Sequence, residues 1–288
     1  MNVKEFIDLH VHIGPEIFPR KFTVQTLIRK ERGKINGMAL KNHLYPTMPL
    51  INSVENDKEI VLIGSVTLNN YLGGLNPDAI YASAKISELP IIVWFPTINA
   101  NNFLAQSKYE IAPEWVKDKN FISRKSSEVK PVEVLNKGKL TVEAIECLRM
   151  IKKCKAVLAT GHISSKETII LVREALILGI KKIIITHPIY QKITMSNKLQ
   201  KKLANKGCFI EIPYSMYSID KIPIEKIVEE IKSVGYKNTV LSSDMGQIYS
   251  LAPSVALKKF AELLILSGIK EEEIFTMLVK NPKKLLSK

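Results

Sequence analysis

The sequence predicts an α/β fold, a (β/α)8 TIM barrel with a long insertion after its fourth strand. Three observations carry the prediction. Eight short, β-rich apolar runs alternate with helical patterns, the order that builds a parallel sheet. All five histidines stand at the C-terminal ends of those runs. The chain's 288 residues are the span of one such barrel.

The runs are, in order, "EFIDLHVH", "GMALKNH", "EIVLIGSVTLN", "PIIVWFP", "AVLATGH", "KKIIITHP", "CFIEIP" and "TVLSSD". Helical patterns predicted between and after them cover Val24–Glu31, Pro77–Ser87, Val142–Lys153, Lys166–Leu178, Asn197–Asn205, Ile224–Val234 and Ser254–Leu266. The weakest is "MPLINSVEND" after His43, long enough for about two turns. Ser164 and Glu167 have the spacing of a capping box. Gly179, Gly207, Gly235 and Gly268 each follow a helical pattern, where a left-handed residue ends the helix. No G-x-G-x-x-G follows the first run, which argues against a dinucleotide fold.

Residues 99–139 break the rhythm with a long polar stretch. Phe103, Trp115 and Phe121 give it apolar anchors, and "VEVLNKGKL" reads as a small hairpin. The expectation is an insertion over the barrel mouth within a single domain, 1–288.

Composition sets bounds. Hydrophobic residues make up 46% and charged residues 24%, which is globular. The formal net charge of +14 comes from lysines spread along helices beside glutamates, without an arginine stripe or a basic tail. That pattern bears on solubility, so nucleic acid is not the expected partner. Cys147, Cys154 and Cys208 form no C-x-x-C pair, which points to a reducing compartment. No apolar run reaches membrane-spanning length, and Asp8, His10 and His12 interrupt any signal-like start. A cytoplasmic protein without a membrane partner is expected. The sequence leaves room for a homo-oligomer.

The histidines carry the functional reading. His10, His12, His43, His162 and His187 are distant in sequence, yet barrel topology brings all strand C-termini to one face. Strand alternation puts Asp8, His10 and His12 on one face and Ile7, Leu9 and Val11 on the other. The polar set is expected inside the barrel and the aliphatic set against the helices. By the same logic Lys41 and His43 share a face, and so do Val240, Ser242 and Asp244. A lone histidine at a strand end is more often structural than a ligand. Five at corresponding positions, with an acid ending the eighth run, reverse that balance. Imidazoles with a carboxylate suit zinc or a similar divalent metal.

The ordered set resembles the amidohydrolase superfamily. It comprises H-x-H in "DLHVH", His162 in "ATGH", His187 in "ITHP" and Asp244 in "SSD". "NPKKLL" near the C-terminus is similar to an ending common there, and "GGLNP" looks like an uncharacterised branch. The resemblance implies a metal-dependent hydrolase acting through a metal-activated water on a small-molecule amide, lactone or other ester-like bond. It implies metal ligands among His10, His12, His162, His187 and Asp244, with Asp244 and His187 catalytic. Many dinuclear members carry a bridging carboxylated lysine or glutamate at the fourth strand, and "IIVWFPT" has neither. One ion is therefore the favoured reading. A second ion bridged by a carboxylated Lys41 is the alternative. Candidate substrate contacts are Lys41, His43, Arg20, Asn69, Tyr214 and Gln247, and the substrate is anionic if Lys41 and Arg20 meet it.

Three rivals remain. A PHP-like phosphoesterase would use H-x-H and His43, but needs a late D-x-H where Asp244 is followed by Met245 and Gly246. A TatD-type nuclease would need a glutamate on the fourth strand. A non-catalytic metal-containing binding protein would keep the ligands alone.

Overall fold

The computed structural model describes residues 2–55, 59–118 and 120–287. Its strands are β1 (Ile7–His12), β2 (Gly37–Lys41), β3 (Val61–Ile63), β4 (Ser65–Thr67), β5 (Ile92–Trp94), β6 (Leu135–Asn136), β7 (Lys139–Leu140), β8 (Val157–Ala159), β9 (Ile183–Ile185), β10 (Phe209–Pro213) and β11 (Thr239–Ser242). Apart from the antiparallel β6–β7 hairpin, every paired strand is parallel. One sheet runs β1-β2-β3 and the other β11-β10-β9-β8-β5-β4.

The third run divides at Gly64 into β3 and β4. A Cβ on Gly64 would collide with the Met48 side chain. Thr47 enters the gap. Its Oγ1 donates to Leu40 O at 3.0 Å and accepts from Ser65 N at 2.8 Å, and Ser65 Oγ donates to Leu40 O at 2.6 Å. Hydroxyls thus replace the backbone ladder between β2 and β4. On the other side, Asp244 N donates to His10 O at 2.9 Å and His12 N to Met245 O at 2.7 Å. These bonds join β1 to the segment after β11, where a barrel has to close.

The helices form where the patterns place them. Examples are Val24–Glu31, Val142–Cys154, Ser165–Ile177 and Pro253–Leu266. Glu167 Oε2 accepts from Ser164 N at 2.7 Å, and Ser164 Oγ accepts from Glu167 N at 3.2 Å, completing the capping box. Gly179 and its three counterparts all have positive φ. Of the weak stretch after His43, Met48–Asn52 is helical, and its residues 56–57 lie outside the described residues. Among the described residues, no helix is long and apolar enough to cross a membrane.

Two apolar layers flank the sheet. Val11, Leu40, Val93, Leu158 and Leu241 pack with the helices. Ile7, Leu9, Ala39, Trp94, Phe209 and Val240 form a separate inner cluster with Leu285 and Leu286 of the last helix. This corrects the simple alternation expected for β1, since Ile7 and Leu9 face inward. The cause is a bulge: Asp8 pairs with Met38 but Val11 with Leu40, so β1 carries one extra residue. With the extra residue, His10 meets Trp94 of the inner layer, ring centres 4.5 Å apart. The "NPKKLL" segment is structural here. Asn281 Nδ2 donates to Tyr236 O and Thr239 O at 2.8 and 2.6 Å, which seats Leu285 and Leu286 under the inner layer.

Candidate metal centre

The bulge in β1 and the turn after β11 bring three ligand atoms together. His10 Nε2 and His12 Nε2 are 3.3 Å apart, and each is 3.1 Å from Asp244 Oδ1. Asp244 and Gly246 both have positive φ. A Cβ on Gly246 would collide with His12 O, so only glycine lets this turn pass the H-x-H strand.

Buried polar groups hold the cluster. His10 donates through Nδ1 to Glu211 Oε1 at 2.8 Å, and Ser242 Oγ donates to the same oxygen at 2.7 Å. An ionised carboxylate only accepts, so the hydrogen sits on Nδ1 and Nε2 keeps its lone pair. Burial pushes the Glu211 carboxyl up, but His10 and His187 outweigh it and hold it below the usual range. Ser215 Oγ donates to Asp244 Oδ2 at 2.8 Å and fixes which oxygen faces the histidines. Asp8 Oδ1 accepts from His10 N at 3.1 Å and Ser243 N at 3.0 Å, pinning the bulge to the closing segment. Burial raises its carboxyl to about 7.

Two cations stand against the imidazoles. Lys41 Nζ donates to His10 Nε2 at 3.0 Å and lies 4.1 Å from the Trp94 ring centre. Burial brings this amine down to about 8. Arg20 Nη2 donates to His12 Nδ1 at 2.8 Å while its Nε pairs with Glu16. Arg20 lines the pocket, with Nη2 on His12 and Nε on the buried carboxylate of Glu16, so part of its fork is already partnered. The same Glu16 accepts from His43 N.

A pocket partly open toward solvent lies over this cluster. His12, Lys41, His43, His162, His187 and Asp244 all line it. Burial pushes His12, His43 and His162 well below the ordinary imidazole range and His187 to about 4, so these rings are neutral near pH 7. His162 and His187 rings lie 5.0 Å apart with both Nδ1 atoms unpartnered, outside the three-atom cluster. Gly161 has φ 64°, and a Cβ there would strike Phe95 O, so the turn before His162 also needs glycine. From 99–139, Trp115 lines the pocket, stacks on His43 with centres 6.2 Å apart, and packs on Phe103 at 5.5 Å.

Two expected substrate contacts lie elsewhere. Tyr214 packs against Phe260 at 5.6 Å and Tyr217 at 6.0 Å, because the helix Tyr214–Ser218 turns its next residues, Ser215 and Met216, into the pocket instead. Asn69 braces the mouth from behind, donating to His43 O at 3.0 Å and Thr97 Oγ1 at 2.9 Å. Gln247 does line the pocket. Sequence reasoning missed Glu211, Glu16, Ser215 and Tyr190. Glu211 left a signal: it is the one charge inside the apolar run "CFIEIP".

The donor set fits a divalent ion. Two buried imidazoles and a carboxylate converge on one point, as zinc-type sites require. Burial raises the Glu211 and Asp244 carboxyls, but nearby groups hold both below their usual range, and Lys41 faces the pair. The His10 Nε2 lone pair that meets Lys41 is one an ion would engage, so binding displaces that contact, whereas Arg20 meets His12 through Nδ1 and not through Nε2. His12, Glu16 and His43 form a second tight group, but Arg20 already supplies its cation.

The fold is that of amidohydrolases. The chain superposes on an amidohydrolase from Pseudomonas aeruginosa with TM-score 0.62 and 9% identity, covering 98% of this chain and 95% of that one. The probable dipeptidase PvdM from Pseudomonas aeruginosa gives 0.60 and 11%, covering 97% and 94%. A dihydroorotase gives 0.58 and 13%, covering 98% and 70%. At such identities the likeness is one of fold. A comparison with curated proteins finds no match. Within that fold, the chain belongs to the family of unknown function DUF6282, whose model matches residues 5–211.

Proposed function

We propose that the protein is a metal-dependent hydrolase acting on a small-molecule amide, lactone or ester-like bond. The observation that carries this reading is the convergence of His10 Nε2, His12 Nε2 and Asp244 Oδ1 within 3.3 Å at the floor of a pocket. These three would hold one zinc or similar divalent ion, with His162 and His187 beside it. Such an ion lowers the pKa of a bound water toward neutrality and polarises the scissile carbonyl. The neighbours' descriptions, amidohydrolase, dipeptidase and dihydroorotase, agree with hydrolysis.

The chain's own residues do the rest. Asp244 takes the proton from water and returns it to the leaving group. Ser215, donating to Oδ2, fixes the orientation of the carboxylate. His187, neutral at pH 7, donates to the developing oxyanion. Lys41, released from His10, meets an anionic substrate group. Trp115, which lines the pocket against His43, limits water there.

The test is a panel of small amides and lactones assayed with zinc-loaded protein. Turnover should vanish on chelation and fall about 10²–10⁴-fold in Asp244→Asn. Turnover that survives either treatment overturns the reading.

A further inference from the structure

His10 and His12 meet the same Asp244 oxygen through Nε2, but their other ring nitrogens have partners of opposite kind. His10 Nδ1 faces the Glu211 carboxylate at 2.8 Å. A carboxylate only accepts, so the hydrogen sits on Nδ1, and Nε2 holds the lone pair that a metal needs. His12 Nδ1 faces Arg20 Nη2 at 2.8 Å. A guanidinium only donates, so here the lone pair sits on Nδ1. A ring with a lone pair is not an imidazolium, and its one N–H hydrogen is on Nε2. Asp244 Oδ1, 3.1 Å from that nitrogen, is its acceptor. His10 is thus set as a ligand, and His12 is set against being one.

Arg20 is built into this position. Its side chain is 2% exposed, and its Nε pairs with Glu16, whose side chain is 0% exposed. The guanidinium carbon lies 4.2 Å from the centre of the Phe18 ring. The Arg20 backbone bridges to Gln247, and Lys21 N donates to Gly246 O at 2.8 Å. Both contacts tie the segment to the turn that carries Asp244. An arginine stays charged at any working pH, so its hold on Nδ1 is not titrated away.

We infer that Arg20 is an inbuilt competitor of the metal: it holds His12 in the tautomer that cannot ligate, and an ion enters the cluster only by taking His12 from it. For Nε2 to become a ligand, its hydrogen passes to pocket water and another is taken from water at Nδ1. The ring's charge is unchanged, but Nδ1–H then faces the Nη2 hydrogens and the contact breaks. The cost is the same for every ion. One that binds imidazole weakly is kept out, while a zinc-type ion still loads. The inference rests on the reading of His10, His12 and Asp244 as metal ligands, and adds a residue that opposes them.

The test uses the full chain and a net-neutral double variant, Glu16→Gln with Arg20→Met. Removing both partners strands no buried charge, and Gln keeps an acceptor for His43 N. Zinc affinity is measured by chelator competition, with circular dichroism to show that the fold is intact. The double variant should bind zinc roughly tenfold or more tighter, the worth of one hydrogen bond from a charged group. Its net charge equals the wild type's, so a gain cannot come from removing a positive charge. Nitrogen NMR of the His12 ring in the wild type reads the tautomer itself. The hydrogen should be on Nε2 after chelation and on Nδ1 once zinc is added. A folded double variant with equal or weaker zinc affinity overturns the inference, and so does Nδ1–H in the chelated wild type. The NMR result decides alone if the variant does not fold. Zinc bound by neither protein overturns the metal reading and this inference with it. Zinc bound by a wild type whose His12 carries Nδ1–H throughout overturns this inference alone.

Discussion

Replacing Glu211 with Gln isolates the group behind the metal ligands. Its side chain is 1% exposed, and one oxygen takes hydrogen bonds from His10 Nδ1 at 2.8 Å and Ser242 Oγ at 2.7 Å. Gln keeps the volume and one acceptor, so packing survives. What is lost is the negative charge that makes His10 Nε2 a stronger donor and fixes its tautomer. Loss of such a partner weakens metal binding about 10- to 100-fold, or about 1.4–2.8 kcal/mol. The assay is zinc affinity by chelator competition, with circular dichroism to show that the fold is intact. A folded Glu211→Gln protein with wild-type zinc affinity would refute the assignment of His10 Nε2 as a ligand.

Three further outcomes follow from the same geometry. Lys41→Gln removes a cation 3.0 Å from His10 Nε2, so zinc affinity should rise, by about tenfold or more; a fall in the same titration would mean that Lys41 itself carries a ligand, as a carboxylated lysine would. Gly246→Ala places a Cβ 2.7 Å from His12 Cβ in a left-handed turn; zinc affinity and melting temperature should both drop, and a variant matching wild type in both would contradict the packing. Asp220 lines the pocket, and burial raises its carboxyl from 3.8 to about 7. Its folded value exceeds its unfolded one, so its contribution is full below about pH 4 and lost as pH rises through about 7. Asp220→Asn should therefore raise stability near pH 8, by at most about 4 kcal/mol, and denaturant melts should show the gain fading in acid.

The sequence carries the order of parallel strands because each strand is a short apolar run punctuated by its own turn chemistry. Histidines at their ends mark the mouth, because metal chemistry needs imidazoles where an apolar strand would not carry them. The inward facing of Ile7 and Leu9 was not legible, since a bulge leaves no composition signal and depends on the partner strand β2. The split at Gly64 depends on the side chain of Met48, in the preceding helix, which a local pattern does not register. Arg20 reads as an anion clamp in "PEIFPRKF", and only folding shows that Glu16, four residues before it, has taken its Nε. Tyr214 follows a strand as expected of a site residue, but helix geometry gives the pocket to Ser215 and Met216. Glu211 was legible in principle, as a charge in an apolar strand.

Elemental analysis of the purified protein tests the central claim most directly. The account predicts near one zinc or similar divalent ion per chain, lost in the folded His10→Ala, His12→Ala double variant. A wild-type protein that binds no divalent metal when offered it, or a double variant that retains the full complement, would contradict it.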